Sequence, residues 1–597
     1  MKTNDRATAL EDRLCAAAMA VLTTVALALP APAGAAPRDE PAGGEQPNVL
    51  VVMTDDVPYG DLQLMPSFKR LAEEGTTFTR AYASYPLCCP ARSTFLTGQY
   101  AHNHGVKSNF FSTGGGFDSL EGQDDILSTW LQDAGYETAF VGKYLNEYGG
   151  RDPELVPPGW DDWHGLVDYS TYNYFNWAGN HNGALDYYGD REYTDALIEL
   201  ARMTATDEAG TPAQALARSI EIYDPVEDIG SEDQADYQPD VTGEFANEAL
   251  EGAMEGEKPF FLYYAPIAAH RETDYEEFGG IRDIPLDADP RPPERYEETY
   301  DDVELPRDPS FNEEDVSDKP EGVSGRDLID EERMEEMTAD YQGGLGALRA
   351  ADDGLAEMLD TLEESGELDD TIVVYTADQG FMQGQHRIDD HKYIPYEPSI
   401  RLPLVIAGPG IPKGEEVHDL VAAQDMTATI VDAAGANPGR DADGVSLLPH
   451  LRGKPFPERE ILLEALAPTV EFEIGNEAID AQVPYFGLRT ERYKYISWSF
   501  GDEELYDLQE DPYELENVAE EEDYAEIRER LAERAKELSA CAGPSCYDPD
   551  VEVKGEPVAT VEHRQVGQAT AIAVLAALAV ALLAGIARIV RTVRSND

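Results

Sequence analysis

The chain has 597 residues, enough for more than one domain around a large buried core, and its 42% hydrophobic content is that of a globular protein. With 119 acidic and 44 basic residues the net charge is −75, a surface that repels nucleic acid and excludes a DNA- or RNA-binding role. Such a carboxylated surface stays hydrated at high salt, where screening relieves its self-repulsion.

Residues 1–36 read as a secretory signal peptide. After Arg13 comes "LCAAAMAVLTTVALALPAPAGAA", an apolar run ending in small residues near Ala36, and Cys15 is expected to leave with it. A polar Pro/Gly linker, 37–46, follows. "NVLVVMTDD" is apolar from Val49 to Met53 and stops at two aspartates, which predicts a strand buried on both faces. "MPSFKRLAEEGTTF" predicts a short amphipathic helix ended by Gly75, and "ILSTWLQDAGYETAFVGKY" predicts a helix, Gly135 and a strand. "KPFFLYYAPIAAH" predicts another buried strand. "RAADDGLAEMLDTLEESGELDDTIVVYTADQG" predicts helix, glycine and strand, with Asp378 at the strand's end, and "PLVIAGPG" one strand more. The stretches near 205–240 and 272–330 are acidic, the second also rich in proline, and read as long surface loops. Alternating helices and apolar strands across 47–455 predict an α/β domain with a large, mostly parallel sheet flanked by helices.

From residue 456 the texture changes to short alternating strands, turns and a charged helix reaching Leu538. This predicts a smaller α+β subdomain, 456–546, with an antiparallel sheet. Cys541 and Cys546 in "CAGPSC" are expected to form a disulfide in an oxidising compartment. A linker, 547–564, leads to 565–587, an uncharged run of mostly Ala, Leu, Val and Ile that predicts a transmembrane helix. Arg588, Arg591 and Arg594 in the tail, 588–597, place that tail in the cytoplasm and the body outside.

Asp55, Asp56, His270 and Asp378 all fall at the carboxyl ends of predicted strands, where open α/β sheets build their sites, so they are expected to share one. Paired carboxylates at one place repel, and a hard divalent cation with oxygen ligands relieves that repulsion. "ADQG" offers Asp378 and the amide oxygen of Gln379 to the same ion.

The remaining cysteines, Cys88 and Cys89, stand side by side in "ASYPLCCPARSTFLTGQYAHNHG". Read from Cys88, "CCPAR" spells C-x-P-x-R. With "NVLVVMTDD", "CCPARSTFLTG", "GKYLNEYG", "PFFLYYAPIAAH", "TADQGFMQGQHR" and "ELYDLQEDPYELENVA" in order, residues 47 to 520 resemble the sulfatase family of the alkaline-phosphatase-like superfamily. "CCPAR", "HNH" and "GKYLNEYG" are most similar to its N-acetylglucosamine-6-sulfatase branch.

The resemblance implies that a separate formylglycine-generating enzyme oxidises Cys88 to formylglycine. The aldehyde hydrates to a gem-diol; one hydroxyl attacks the sulfur of a sulfate ester and the other later expels sulfate. It further implies one calcium ion held by Asp55, Asp56, Asp378, Gln379 and the modified Cys88. Arg92 would hold the diol and Lys143 would contact diol and sulfate. His270 would bind sulfate and help protonate the leaving oxygen, and Lys392 would pair with a sulfate oxygen. Two positions depart from the family pattern. Gln379 stands where many members have Asn or His, and Leu145 where many have His, with Asn146 beside it.

The expected activity is hydrolysis of a sulfate ester, of a sulfated sugar such as N-acetylglucosamine-6-sulfate, outside the membrane. Two alternatives remain open: a phosphodiesterase or phosphonate monoester hydrolase of the same superfamily, and a tethered binding protein if Cys88 is unmodified. Cys89 reads as a small buried side chain. His102 and His104 read as pocket-lining or structural, His386 and Arg387 as support behind the metal strand, and Asp389, Asp390 and His391 as a surface loop beside Lys392. Trp160, Trp163, Tyr169, Tyr172 and Tyr174 read as core or as a sugar platform.

Overall fold

Strand β1 (Asn48–Thr54) lies in the middle of the principal sheet, and its apolar run from Val49 to Met53 is buried on both faces. Alternation along the strand sends Val49, Val51 and Met53 to one side and Leu50 and Val52 to the other. Each such side chain contributes about 1.5–3 kcal/mol when removed from water. The computed structural model describes residues 46–204, 233–274, 286–288, 290–320, 322–466, 473–474, 477–478, 483–555 and 557. The expected signal segment 1–36 and membrane helix 565–587 lie outside the described residues; among the described residues no helix is long and apolar enough to cross a membrane.

The other strands of the sheet are β2 (Gly75–Phe78), β3 (Glu137–Gly142), β4 (Asp162–Leu166), β5 (Trp177–His181), β6 (Ala184–Tyr188), β7 (Phe260–Ala265), β8 (Thr371–Ala377), β9 (Leu404–Ala407) and β10 (Glu415–Val417). Their spatial order is β10-β2-β9-β8-β1-β7-β3-β4-β5-β6. The central five, β8 to β4, are parallel. Strand β9 runs antiparallel to β8, a departure from the alternation expected of "PLVIAGPG". A parallel neighbour needs a crossover carrying the chain back past the sheet, whereas residues 378–403 form only one short helix, Glu397–Ile400, before β9 begins.

Helices cover both faces. Helices α1 (Pro66–Glu74), α4 (Gln238–Met254) and α5 (Glu331–Ser365) pack on the Leu50 side, and α2 (Cys88–Thr97), α3 (Leu127–Asp133) and α6 (Ala423–Ala434) on the Val49 side. Helix α5 starts eighteen residues before the "RAADDG" segment from which the sequence predicts it. Asp330 caps it through the Arg333 N–H at 2.9 Å, and Gly366 closes it at φ +83°. Trp160 and Trp163 are core: Trp163 is fully buried, stacked on Phe140 at 4.6 Å.

Strands β11 (Ile461–Ala465), β12 (Tyr485–Arg489), β13 (Tyr493–Trp498) and β14 (Glu503–Asp507) form an antiparallel sheet, with α7 (Ala525–Leu538) packed on it. Cys541 and Cys546 are joined as a disulfide. This sheet is bonded into the principal domain: Glu464 N–H donates to Ser84 O at 2.9 Å and Leu466 N–H to Tyr85 Oη at 2.9 Å. His102 joins the two parts. One ring nitrogen lies 2.8 Å from Glu464 Oε2 and the other 3.0 Å from Cys541 O, so His102 is structural. His104 is fixed between Thr94 Oγ1 and the Val106 N–H and is structural too.

Burial alone would depress the His102 pKa, but the Glu464 carboxylate and the Cys541 carbonyl push it up to about 9. Stability from the pair is therefore complete below the ordinary histidine value and is lost as pH rises through about 9. We expect the wild-type protein to lose of the order of 3 kcal/mol from this pair between pH 6 and pH 10. Urea unfolding across that range should show the loss in wild type, and a much flatter profile in Glu464→Gln.

Candidate active site

The site stands on the carboxyl edge of β8, β1, β7 and β3. Parallel pairing of β1 with β8 runs from Asn48↔Thr371 to Thr54↔Ala377 without a slip, so the next residues, Asp55 and Asp378, emerge side by side. Asp56 turns back at φ +56°, a left-handed conformation that Asp tolerates, and its N–H donates to Asp378 Oδ1 at 3.3 Å. Gln379 N–H donates to the same oxygen at 2.9 Å. On the other flank, Gly142 ends β3 at φ +114°, where a Cβ would meet Ala265 O at 2.1 Å. Only glycine lets the following amide, that of Lys143, close on Ala265 O at 2.8 Å. The chain after β7 is tied to Asp55 in both directions, Asp55 N–H to Ala268 O at 3.2 Å and Ala269 N–H to Asp55 O at 3.1 Å, and this sets His270.

Cys88 is the first residue of α2, after Leu87 in an extended conformation, and every residue of that helix is buried. The helix N-terminus therefore faces the carboxylates with its positive end. Arg92 lies one turn on, on the same face as Cys88. Its Nε donates to Asp378 Oδ2 at 2.8 Å, Nη2 to Asp55 Oδ2 at 3.0 Å and Nη1 to Lys143 O at 2.7 Å. Lys143 Nζ is 2.5 Å from Asp55 Oδ2. Lys392 Nζ is 2.5 Å from Asp56 Oδ2, 3.2 Å from Cys88 Sγ and 3.3 Å from His270 Nε2. Cys88 Sγ also lies 3.4 Å from Gln379 Nε2 and 3.7 Å from Asp55 Oδ1. The nine residues expected at the site (Asp55, Asp56, Cys88, Arg92, Lys143, His270, Asp378, Gln379 and Lys392) are thus linked to one another.

Burial would raise the Asp55 carboxyl, but Lys143 and Arg92, with His270 and Lys392 beyond them, hold it well below the usual range. Asp378 moves the other way: burial and the charge of Asp55 push it up to about 6 against the pull of Arg92. Burial pushes the Cys88 thiol up to about 11 against the pull of Lys143 and Lys392. As a cysteine this side chain is held as the neutral thiol. His270 Nδ1 lies 2.7 Å from Arg271 O, an acceptor only, so Nδ1 carries the proton and Nε2 its lone pair. Burial and Lys392 push its pKa down.

The carboxylates of Asp55, Asp56 and Asp378 each offer an oxygen within 4.8 Å of the others, an all-oxygen set that suits a hard divalent cation. Gln379 puts its amide in the same place, with Nε2 2.5 Å from Asp56 Oδ1 and Oε1 buried without a hydrogen-bond partner. Turned by 180°, that amide aims its oxygen where the carboxylates converge. The residues fit a cation.

Of the other residues singled out, Cys89 is buried in the core, its N–H donating to Asn109 Oδ1 at 2.9 Å. Leu145 is buried in the same apolar cluster. His386 pairs with Glu313 at 2.7 Å, and Arg387 donates to the carbonyls of Glu313, Arg326 and Glu314, so both brace the segment ahead of α5. Asp389 and Asp390 do not form a plain surface loop: both are half-buried, Asp389 pairing with Arg333 at 2.8 Å and Asp390 with Arg271. Tyr174 is buried, its hydroxyl donating to His270 O at 3.0 Å. Tyr169 Oη lies 3.4 Å from Glu147 Oε1. Tyr172 turns its ring to the site's cationic side chains, its centroid 4.7 Å from Lys143 Nζ and 4.8 Å from the His270 ring. Only its place in an aromatic-rich stretch drew notice to it. Arg271, next to His270 and paired with Asp340 and Asp390, carried no signal in the sequence.

A model of the sulfatase family matches residues 47–436, and one of the C-terminal part of N-sulphoglucosamine sulphohydrolase matches residues 384–541. An extracellular sulfatase Sulf-1 homolog of Caenorhabditis elegans is 31% identical over 68% of this chain, which spans about half (49%) of that relative. Human N-acetylglucosamine-6-sulfatase is 27% identical over 85% of this chain and 87% of its own length. Among solved structures, an enzyme in complex with its substrate D-glucosamine-2-N,6-O-disulfate aligns with a TM-score of 0.62 at 22% identity, covering 86% of this chain and 100% of that one. The phosphonate monoester hydrolase of Agrobacterium radiobacter aligns with a TM-score of 0.53 at 24% identity, covering 82% and 94%. The two structures share the fold.

Arg92 is 1% exposed and bridges two buried carboxylates. Replacing it by methionine leaves both without their shared partner, so Arg92→Met is expected to destabilise the protein by about 3–5 kcal/mol. Urea unfolding in the presence of a chelator checks this; an unchanged midpoint would mean that the network does not depend on the guanidinium.

Proposed function

The chain belongs to the sulfatase family, and on that premise we propose that it hydrolyses the sulfate ester of a sulfated sugar, N-acetylglucosamine-6-sulfate or a close relative. The observation that carries the reading is the position of Cys88. Its sulfur sits at a helix N-terminus, within 3.2 Å of Lys392 and 3.4 Å of Gln379, beside three clustered carboxylates, in the C-x-P-x-R setting of the family. The sugar assignment rests on the relatives named above.

Cys88 is proposed to be converted to formylglycine, whose hydrated aldehyde supplies the nucleophile for sulfur. Asp55, Asp56, Asp378 and Gln379 are proposed to hold one divalent cation, calcium by its preference for oxygen ligands, which supplies positive charge for a sulfate oxygen. The chain's own cations do the rest. Arg92 fixes Asp55 and Asp378 and so the floor of the site. Lys392 reaches the nucleophile's position and Lys143 stands beside it on Asp55, and both offset charge on the transferring group. Lys392 and His270 are hydrogen-bonded to each other at 3.3 Å, and in this arrangement the shared proton is on the lysine. The leaving oxygen draws its proton from that pair, and a sulfate anion beside it favours protonated His270. Three carboxylates already face Arg92, Lys143 and Lys392, so a dication held with a singly charged sulfate ester would leave the site net positive, which favours the charge that builds on the transferring group.

Export is part of the reading. The Cys541–Cys546 disulfide belongs to an oxidising compartment, and we propose 1–36 as the export signal and 565–587 as the anchor.

With its maturation enzyme co-produced, the peptide containing Cys88 is expected to carry an aldehyde by mass spectrometry; an unmodified thiol throughout would support a binding scaffold. The protein is expected to prefer aryl sulfates over phosphonate monoesters and phosphodiesters, and the reverse preference would reassign the reaction. Calcium should raise the thermal midpoint of the wild type and leave Asp56→Ala unmoved. An equal rise in both would displace the proposed site.

A further inference from the structure

Asn146 and Tyr172 form a hydrogen-bonded pair at the rim of the site. Tyr172 ends the helical turn Ser170–Tyr172, and Asn146 lies three residues beyond Lys143. The amide nitrogen of Asn146 is 2.6 Å from Tyr172 Oη. Asn146 is 5% exposed, yet its Oδ1 is buried with no hydrogen-bond partner. A buried amide left half-satisfied costs about 1–3 kcal/mol, and such groups call for an explanation.

Either orientation of the amide leaves a donor to spare. If the Asn146 N–H donates to Tyr172 Oη, the hydroxyl proton of Tyr172 has no acceptor among the described residues. If the amide is turned, Tyr172 O–H donates to Asn146 Oδ1, and the amide hydrogens take the unpartnered place. The spare donor belongs to a pair already in contact with the cationic side of the site. The Tyr172 ring lies against both Lys143 Nζ, at 4.7 Å, and the His270 ring, at 4.8 Å. With the amide turned, its hydrogens face that corner, and a group that brings several oxygen acceptors and no donor completes it.

We propose that Asn146 and Tyr172 bind an oxygen of the sulfate group through this donor, while the face of the Tyr172 ring holds the Lys143 ammonium in place. The inference rests on the proposed sulfatase reaction and adds two residues to its sulfate-binding set.

Two near-isosteric variants test it. Tyr172→Phe keeps the ring over Lys143 and removes the hydroxyl. Asn146→Asp keeps the shape and an acceptor for Tyr172 but removes the N–H donors. In the full chain with Cys88 converted, binding of inorganic sulfate is measured by calorimetry and turnover with an aryl sulfate. Relative to the parent, Tyr172→Phe is expected to weaken sulfate binding and lower kcat/KM roughly 10-fold, and Asn146→Asp roughly 100-fold. The carboxylate of Asn146→Asp repels sulfate by its charge in any case, so Tyr172→Phe decides: sulfate binding within about twofold of the parent in that variant overturns the inference. So does a parent that binds no sulfate. A parent that binds sulfate but leaves aryl sulfates intact overturns the proposed reaction instead, and the calorimetric comparison then decides this inference alone.

Discussion

The contact on which the rest of the site depends is the bridge from one guanidinium to two strand ends. Arg92 spans Asp55 and Asp378, each within 3.0 Å, and those carboxylates are neighbours only because β1 and β8 pair in parallel up to Thr54↔Ala377. A slip of one residue would turn the neighbouring side chains to the opposite face of the sheet. The long apolar runs of β1 and β8 are buried on both faces, so the hydrophobic core prevents that slip. Core packing thus sets the position of a charge network that would be prohibitively unstable if any member were unpaired.

Three elements are then locked to that bridge. Helix α2 brings Cys88 and Arg92 together one turn apart. Gly142 lets the backbone of β3 close on β7 and deliver Lys143. The loop after β7 is tied to Asp55 from both sides and delivers His270. Because the groups are held in a nearly water-free interior, their charges act at short range without reorganising. The outer surface behaves differently. A net charge of −75 repels any sulfated substrate over long distances, but at physiological ionic strength the field fades over roughly 8 Å and counts for less inside the pocket. The sign of the surface and the sign of the site are therefore separable, and the acidic composition fits a salty surrounding.

Much of this was legible in the chain. Runs such as "NVLVVMTDD" and "TIVVYTADQG" mark both a buried strand and the carboxylates at its end, since an apolar run must stop where polar side chains reach water or a ligand. The rest was not legible, for physical reasons. The direction of β9 depends on the path of residues 378–403, which has no periodic signal. The start of α5 is polar and largely exposed, so it lacks the apolar stripe that marked its second half. Asp389 and Asp390 read as surface because their partners, Arg333 and Arg271, are distant in sequence. Tyr172 was noticed among five aromatics, but nothing local distinguishes the one that meets Lys143 from those that fill the core.

What the sequence determined by itself is the order of buried strands, the residues at their ends and the C-x-P-x-R setting of Cys88, because burial and local spacing are written in residue type. What only the tertiary structure decided is which of those ends meet. The parallel register, the packing of α2 against the sheet and the approach of Tyr172 to Asn146 and Lys143 are contacts between distant segments. Their energies come from groups that no local stretch of chain contains.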